Sequence, residues 1–354
     1  MKKYSFYILC VATLCGCGNK NVILLNQVPV TPVVNPATKA IIKDNSLLYV
    51  RLDSGASIHG ITFNSAFRTA DDFSDFELHS FSLQPATTPY SFDENRCAFG
   101  SGQALTPVVN FSADYGSTWT SFSPVFNPAL PGAGFYSSGF FGLSPVGDEE
   151  VLGLYVQQTY ANGNTRQLYK IDIPAKTATL VSSIQDNYIP LAMQFANAKT
   201  GWILLSGGGT FISSTTDSGV TWSKPVLIDT RNLGGLRVSA AGQVAVYSVP
   251  GAYFSADNGV TWKEAPASVY LEDVSFVSSS LVYGLTDGGL EKSTDGGGNW
   301  SYVSYFDATF SNVTRIFFED DLHGLAYGEQ RLYETMDGGR SWKTLLFPYD
   351  YILQ

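Results

Sequence analysis

The chain has 354 residues, 44% of them apolar and 14% aromatic, with 21 basic side chains against 31 acidic ones and a formal charge of −10. That length can bury a sizeable core, and an acidic chain without clustered Lys or Arg is a poor nucleic-acid binder. Its three histidines, His59, His79 and His323, lack the spacing of a metal site, so neither metal nor cofactor is expected.

Lys2 and Lys3 precede an almost unbroken apolar run, Tyr4 to Leu14, of the length of a signal peptide and too short to span a bilayer. The run ends in Leu14-Cys15-Gly16-Cys17, which resembles the lipobox of bacterial lipoproteins. The resemblance implies cleavage after Gly16, a diacylglycerol on the Cys17 thiol and attachment to a membrane through that lipid. Residues 1–16 are read as signal peptide and 17–45 as lipidated N terminus and tether. Within the tether, Val28 to Pro36 holds three prolines in nine residues, which favours an extended, semi-rigid chain. Gly18 stands where an Asp retains many lipoproteins at the inner membrane. The expected place is therefore the cell envelope, and the outer membrane if the cell is Gram-negative. Of four cysteines, Cys10 and Cys15 leave with the signal and Cys17 carries the lipid. Cys97 is then left without a disulfide partner.

From residue 46 to 354 the chain repeats one pattern: Ser/Thr-x-Asp-x-Gly-x-x-Trp. It occurs at Ser112–Trp119 with Asp114, Thr215–Trp222 with Asp217, Ser255–Trp262 with Asp257, Ser293–Trp300 with Asp295, and Thr335–Trp342 with Asp337. Five of the six tryptophans, Trp119, Trp222, Trp262, Trp300 and Trp342, fall at its last position. Degenerate copies sit at Asp71 and Asp172. The steps between the seven aspartates are 43, 58, 45, 40, 38 and 42 residues. About 40 residues fits one four-stranded propeller blade. The long step suggests an insertion, assigned to the Gly- and Phe-rich Pro131 to Asp148. Its Phe135, Tyr136, Phe140 and Phe141 are the expected contact surface. Each motif reads as a hairpin turn: Asp and Ser/Thr accept backbone N–H bonds, Gly supplies a positive φ, and Trp covers the turn as the next strand begins. Gln243–Ser248 is β-branched and aromatic, Gly251–Phe254 leads into the third turn, and Leu271–Val277 alternates, so these read as strands. The expected fold is an all-β propeller of four-stranded blades, seven in number, with six to eight open.

The motif resembles the Asp-box (BNR) propellers, and most closely the photosystem II assembly/stability-factor-like repeats. Thr200-Gly201-Trp202-Ile203-Leu204 and His323-Gly324-Leu325-Ala326-Tyr327-Gly328 match the wider pattern of that group. The resemblance implies the fold and leaves function open. The expected function is a non-catalytic module that binds an envelope protein or glycan. The alternative is a sialidase-like glycoside hydrolase, which needs three converging arginines and a Tyr–Glu pair. Phe67-Arg68 lacks the Ile-Pro that follows the first such arginine, and Arg237 and Arg315 have no more claim to a central funnel than any other strand arginine. Asp148-Glu149-Glu150 and Glu319-Asp320-Asp321 lack calcium-loop spacing. The Asp-box aspartates are read as turn staples, and no catalytic residue is assigned.

Overall fold

The computed structural model describes residues 42–43, 46–52, 64–69, 77–80, 91–93, 96–100, 107–114, 118–130, 135–159, 163–184, 188–305, 313–328 and 331–345. The chain parts into two compact units, Met1–Val34 and Asn35–Gln354, and every described residue belongs to the second. The described residues contain strands and turns and no helix.

Among the described residues the strands form seven sheets, each built on four consecutive antiparallel strands, with a fifth strand added to one of them. The first holds β1 (Ile42–Lys43), β2 (Ser46–Leu52), β3 (Asn64–Thr69) and β4 (Glu77–Ser80). The second holds β5 (Ser91–Asp93), β6 (Arg96–Gly100), β7 (Val109–Ser112) and β8 (Thr120–Phe122). After β9 (Val125–Asn127), the third holds β10 (Phe135–Gly147), β11 (Glu150–Thr159), β12 (Gly163–Asp172) and β13 (Thr177–Ser183). The fourth holds β14 (Ile189–Phe195), β15 (Gly201–Ser206), β16 (Thr210–Thr215) and β17 (Val226–Asp229). The fifth holds β18 (Gly235–Val238), β19 (Val244–Ser248), β20 (Gly251–Ser255) and β21 (Lys263–Glu264). The sixth holds β22 (Leu271–Phe276), β23 (Val282–Thr286), β24 (Gly289–Ser293) and β25 (Ser301–Tyr305). The seventh holds β26 (Val313–Phe318), β27 (Gly324–Gly328), β28 (Arg331–Thr335) and β29 (Lys343–Leu345). Leu47–Arg51 and the tail from Lys343 thus belong to different sheets. The first sheet begins at Ile42, a few residues inside the stretch read as tether.

Burial follows strand rank. Second strands lie between neighbouring sheets and read as near-continuous apolar runs, as in Trp202-Ile203-Leu204-Leu205 of β15 and Val244-Ala245-Val246-Tyr247 of β19, all buried. Fourth strands are short and exposed, as in β21 and β25. The core is accordingly a series of slabs between successive sheets. Val109, Phe111, Tyr155 and Tyr169 fill the slab between the second and third. Leu154, Leu168, Met193 and Ile203 fill the next. Trp202, Leu204, Leu236 and Val246 follow, then Tyr247, Phe254, Leu271 and Val274, then Tyr283, Leu290, Phe318 and Tyr333. Each large side chain so buried contributes about 1.5–3 kcal/mol. First strands of successive sheets lie side by side, β10 by β14, β14 by β18, β18 by β22 and β22 by β26. This is the blade order of a β-propeller.

The third sheet departs from expectation. Pro131 to Asp148 is no insertion loop. From Phe135 to Gly147 it is β10, the long first strand, paired residue by residue with β11 through three register shifts. The extra length of that repeat lies in strands of 13, 10 and 10 residues and in β9. β9 adds parallel to the outer edge of β13. Phe140 is 3% exposed in the core and Phe141 packs against the next slab, so neither is a contact surface. Glycine and phenylalanine read as loop and strand alike in sequence; the covering sheets decide between them.

Candidate functional site

Six of the seven marker aspartates, all but Asp71, are described, and each falls at or next to the turn between third and fourth strands. Antiparallel alternation places that turn and the first-to-second turn at one end of each blade, and the remaining turns at the other. Five turns have one geometry. In the fourth blade the Thr215 hydroxyl donates to Asp217 Oδ1 (2.8 Å) and accepts from the Gly219 N–H (2.9 Å). The Thr221 N–H donates to Oδ1 (2.9 Å) and its hydroxyl to Oδ2 (2.6 Å). Asp257, Asp295 and Asp337 repeat this with Ser255/Thr261, Ser293/Asn299 and Thr335/Ser341. Asp114 does so with Ser112 and Thr118. The residue before the Trp is thus a side-chain donor in every copy. Sequence reasoning passed over this position, though Thr118, Thr221, Thr261, Asn299 and Ser341 display it.

The turn also ties two turns and two blades together. The N–H of Ser218, Gly296 and Gly338 donates to Lys199, Ser280 and Leu322 in the first-to-second turn of the same blade. Gly219 (φ 81°), Gly297 (φ 101°) and Gly339 (φ 83°) sit in the left-handed region, where Gly is strongly favoured. A Cβ on each would collide with Leu168, Phe254 and Leu290 of the preceding blade. Two Trp rings close their own turns, Trp300 Nε1 donating to Gly297 O (2.8 Å) and Trp262 Nε1 to Gly259 O (3.1 Å), while Trp222 Nε1 donates across to Ser182 Oγ of the preceding blade (3.3 Å). The sixth tryptophan, Trp202, is buried in β15 and donates to Asn258 O in the next blade's turn (3.3 Å).

These bonds hold the carboxylates ionised. Hydrogen bonds from Thr261 draw Asp257 down to about 2, and bonds from Asn299 draw Asp295 to about 2; Asp217 is lowered by Thr221. A general acid needs the opposite shift. Asp172 has lost the motif: its carboxylate accepts the Ala175 N–H (2.7 Å) in a plain turn. Asp71 and Cys17 lie outside the described residues, as does His59. Of His79, Cys97, Arg51, Arg68 and Arg331 only the backbone is described.

The first strands meet edge to edge, and their polar side chains bridge the seams. Ser144 accepts the Phe195 N–H (3.3 Å), Gln194 the Val238 N–H (2.9 Å) and Ser275 the Phe318 N–H (2.8 Å). At the fifth seam this register position holds Arg237. It donates to Oδ1 of the fully buried Asp273 (2.6 Å), which also accepts from Tyr247 (3.0 Å), while Oδ2 accepts the Ile316 N–H (3.0 Å). One carboxylate thereby links three blades. Arg315 follows on the exposed face of β26. Burial foremost pushes the Tyr247 hydroxyl up, with Arg237 and then Asp273 the next largest influences in opposite directions.

The other arginines with described side chains lie elsewhere. Arg166 is buried in β12, Arg96 pairs with Asp148 (3.6 Å), and Arg340 donates to Asp337 O (2.7 Å). Arg231 forks onto Asp229, where Tyr253 also donates (3.0 Å) to it and to Glu264 (3.0 Å). Burial, then bonds to Asp229 and Glu264, raise Tyr253 to about 12, which keeps the phenol neutral. The acidic clusters are engaged too: Glu150 with Lys170, Asp321 with Lys292, and Asp320 with His323 (2.6 Å). Among the described residues no three His, Cys, Asp or Glu side chains gather to hold a metal.

Comparison with known proteins finds no matching family model and no matching curated protein. Solved structures match in fold. YCF48 bound to a D1 peptide superposes with TM-score 0.52 at 14% identity, over 73% of this chain and 83% of that one. A puromycin hydrolase superposes with TM-score 0.57 at 10% identity, over 88% of this chain and 55% of the hydrolase. A Hadza microbial sialidase reaches TM-score 0.45 at 11% identity, over 80% and 73%. At these identities the likeness is one of fold, shared by enzymes and non-enzymes, and the chain is a β-propeller.

Proposed function

We propose that the chain is a lipid-anchored envelope protein whose propeller binds an extended segment of a protein partner and performs no chemistry. One observation carries the reading: the groups that the sequence marks out most strongly are spent on structure. The Asp-box carboxylates are saturated by their own turns, Arg237 is bound to a buried carboxylate, and Tyr253 is held neutral between two acids. The likeness to a propeller that holds a peptide supports it. The binding end is the one opposite the Asp-box turns. There the connections differ from blade to blade, Gly207–Gly209, Val249–Pro250 and Asp287–Gly288, and variable turns on a rigid frame are where recognition is placed. Cys17 carries the lipid, and the Pro-rich stretch after it holds the domain off the membrane.

Intact-mass measurement of the protein from its own envelope tests the anchor: a diacylglyceryl mass on Cys17 is expected, and Cys17→Ser shifts the protein to the soluble fraction. A hydrolysis assay over sialosides and other glycosides tests the chemistry: no turnover above the enzyme-free rate is expected. Turnover lost in Arg315→Ala restores the hydrolase reading.

A further inference from the structure

In four blades the fourth and fifth residues of the aspartate motif are both left-handed. Ser218 and Gly219, Asn258 and Gly259, Gly296 and Gly297, and Gly338 and Gly339 have φ between 61° and 101°. The fourth place takes glycine or a residue with a short polar side chain, of which Asn tolerates that region best. The fifth is glycine in every copy. At Gly259 a Cβ would also press on Trp202 of the preceding blade at 3.2 Å. The turn thus admits Asn-Gly, and the fifth blade has it. That dipeptide is chemically labile: asparagine is a thermolabile residue, and glycine has no side chain to obstruct its own nitrogen as it approaches the carboxamide.

We propose that Asn258 is a site of spontaneous deamidation, held back by the same turn that creates it. The Gly259 nitrogen sheds its proton and attacks Asn258 Cγ. The carboxamide C–N bond breaks, and the leaving nitrogen takes up that proton and departs as ammonia. Water then opens the cyclic imide at either carbonyl, to aspartate or isoaspartate, and nothing is oxidised or reduced. Asn258 is exposed to the water that this needs. Three contacts oppose ring closure. The Gly259 N–H is donated to Ser255 Oγ (2.8 Å), so the nucleophile is engaged. The Asn258 carboxamide oxygen lies over Gly242, in the first-to-second turn of the same blade. Asn258 O accepts Trp202 Nε1 (3.3 Å) from the preceding blade. Closure therefore waits on opening of the turn, and its rate follows the open population. The product sets a second carboxylate beside Asp257 and, as isoaspartate, adds a carbon to the main chain. The equivalent Ser218, Gly296 and Gly338 have no carboxamide, so the turn of the fifth blade is the one that ages.

The test incubates the full chain in mildly alkaline buffer and maps the tryptic peptide Val238–Lys263 by mass. Asn258 is the only asparagine in that peptide, so aspartate and isoaspartate at 258 are read directly. Folded wild type should convert at least ~10-fold more slowly than the same chain in denaturant. Ser255→Ala removes the acceptor of the Gly259 N–H and should convert about 10-fold faster than folded wild type. Ser293→Ala is the matched control. It frees the Gly297 N–H (2.8 Å) in the sixth blade, leaves the fifth intact, and should leave the rate at Asn258 unchanged. If Ser255→Ala does not fold, Ser255→Cys, with a weaker acceptor of similar shape, replaces it and should again speed conversion. Equal acceleration by the Ser255 and Ser293 variants overturns the proposal, because unfolding of the whole domain then sets the rate. Equal conversion of folded and unfolded wild type overturns it too, as does an Asn258 that survives in denaturant.

Discussion

The fourth blade carries glycines with the same backbone angle at its two ends, in opposite surroundings. Gly219, in the turn of the repeated aspartate motif, and Gly208, in the turn at the other end, both have φ 81°. A side chain on Gly219 collides with Leu168 of the preceding blade, whereas nothing lies within 4 Å of one on Gly208. At Gly219 the blade is tied into its neighbour; at Gly208 it is open, while Gly209 beside it is held by the backbone of Asp229 in its own blade. A ring of blades needs one end to repeat, because every blade must meet the next in the same way. Function then has the other end at its disposal.

Three substitution pairs bear on that difference. Gly219→Ala combines left-handed strain with overpacking and should cost about 3–5 kcal/mol. Gly208→Ala meets the strain alone and should cost about 1–2 kcal/mol. Equal costs in chemical denaturation would break the comparison. Next in size, Asp295→Ala removes bonds to Ser293, Gly298 and Asn299 and should cost about 1–2 kcal/mol. Asp287→Ala, at the opposite end, removes an exposed carboxylate and should stay within about 0.5 kcal/mol. Smaller again, Thr261→Val keeps the shape and loses the hydroxyl bond to Asp257, for about 1 kcal/mol. Val260, one position before Thr261, is 78% exposed and has no hydroxyl to donate. If Val260→Ala costs as much as Thr261→Val, the hydroxyl before the Trp has no special role.

The tied end also sets the pH response. Asp257 and Asp295 fold with carboxyls near 2, and Asp217 and Asp337 are lowered as well. A carboxyl whose folded pKa lies below its unfolded value near 4 stabilises the fold above that value. The contribution fades as pH falls from about 4 towards 2. Tyr169 and Tyr253 are raised to about 12, so they stabilise below pH 10 and lose that contribution as pH rises through 12. Unfolding midpoints should be level between about pH 5 and 9 and fall on both sides. In a variant lacking Asp257 and Asp295 the acid limb should flatten while the alkaline limb stays.

Much of this was legible because the Ser/Thr-x-Asp-x-Gly-x-x-Trp turn is local. Asp217, Gly219 and Trp222 act within eight residues, so their spacing displays their geometry. The blade boundaries followed from the same markers, even at Asp172, where the motif has decayed. What stayed hidden acts across the chain. Arg237 and Asp273 are 36 residues apart, and nothing near either reveals that one carboxylate joins three blades. β9 finds β13 some fifty residues later, so its three residues gave no sign of being a strand. Phe140 and Phe141 were misplaced because a Gly- and Phe-rich run carries no alternation to separate an inner strand from a loop. The donor before the Trp was in plain view and needed only the five copies to be aligned one position further.

The most direct test places a photoreactive residue at positions 208, 249 or 287 at the variable end, and at 220 or 260 among the Asp-box turns, then irradiates intact envelopes. A discrete cross-linked protein is expected from one or more of the first three and none from the other two. A cross-link arising from the Asp-box end, or from neither end, would contradict it.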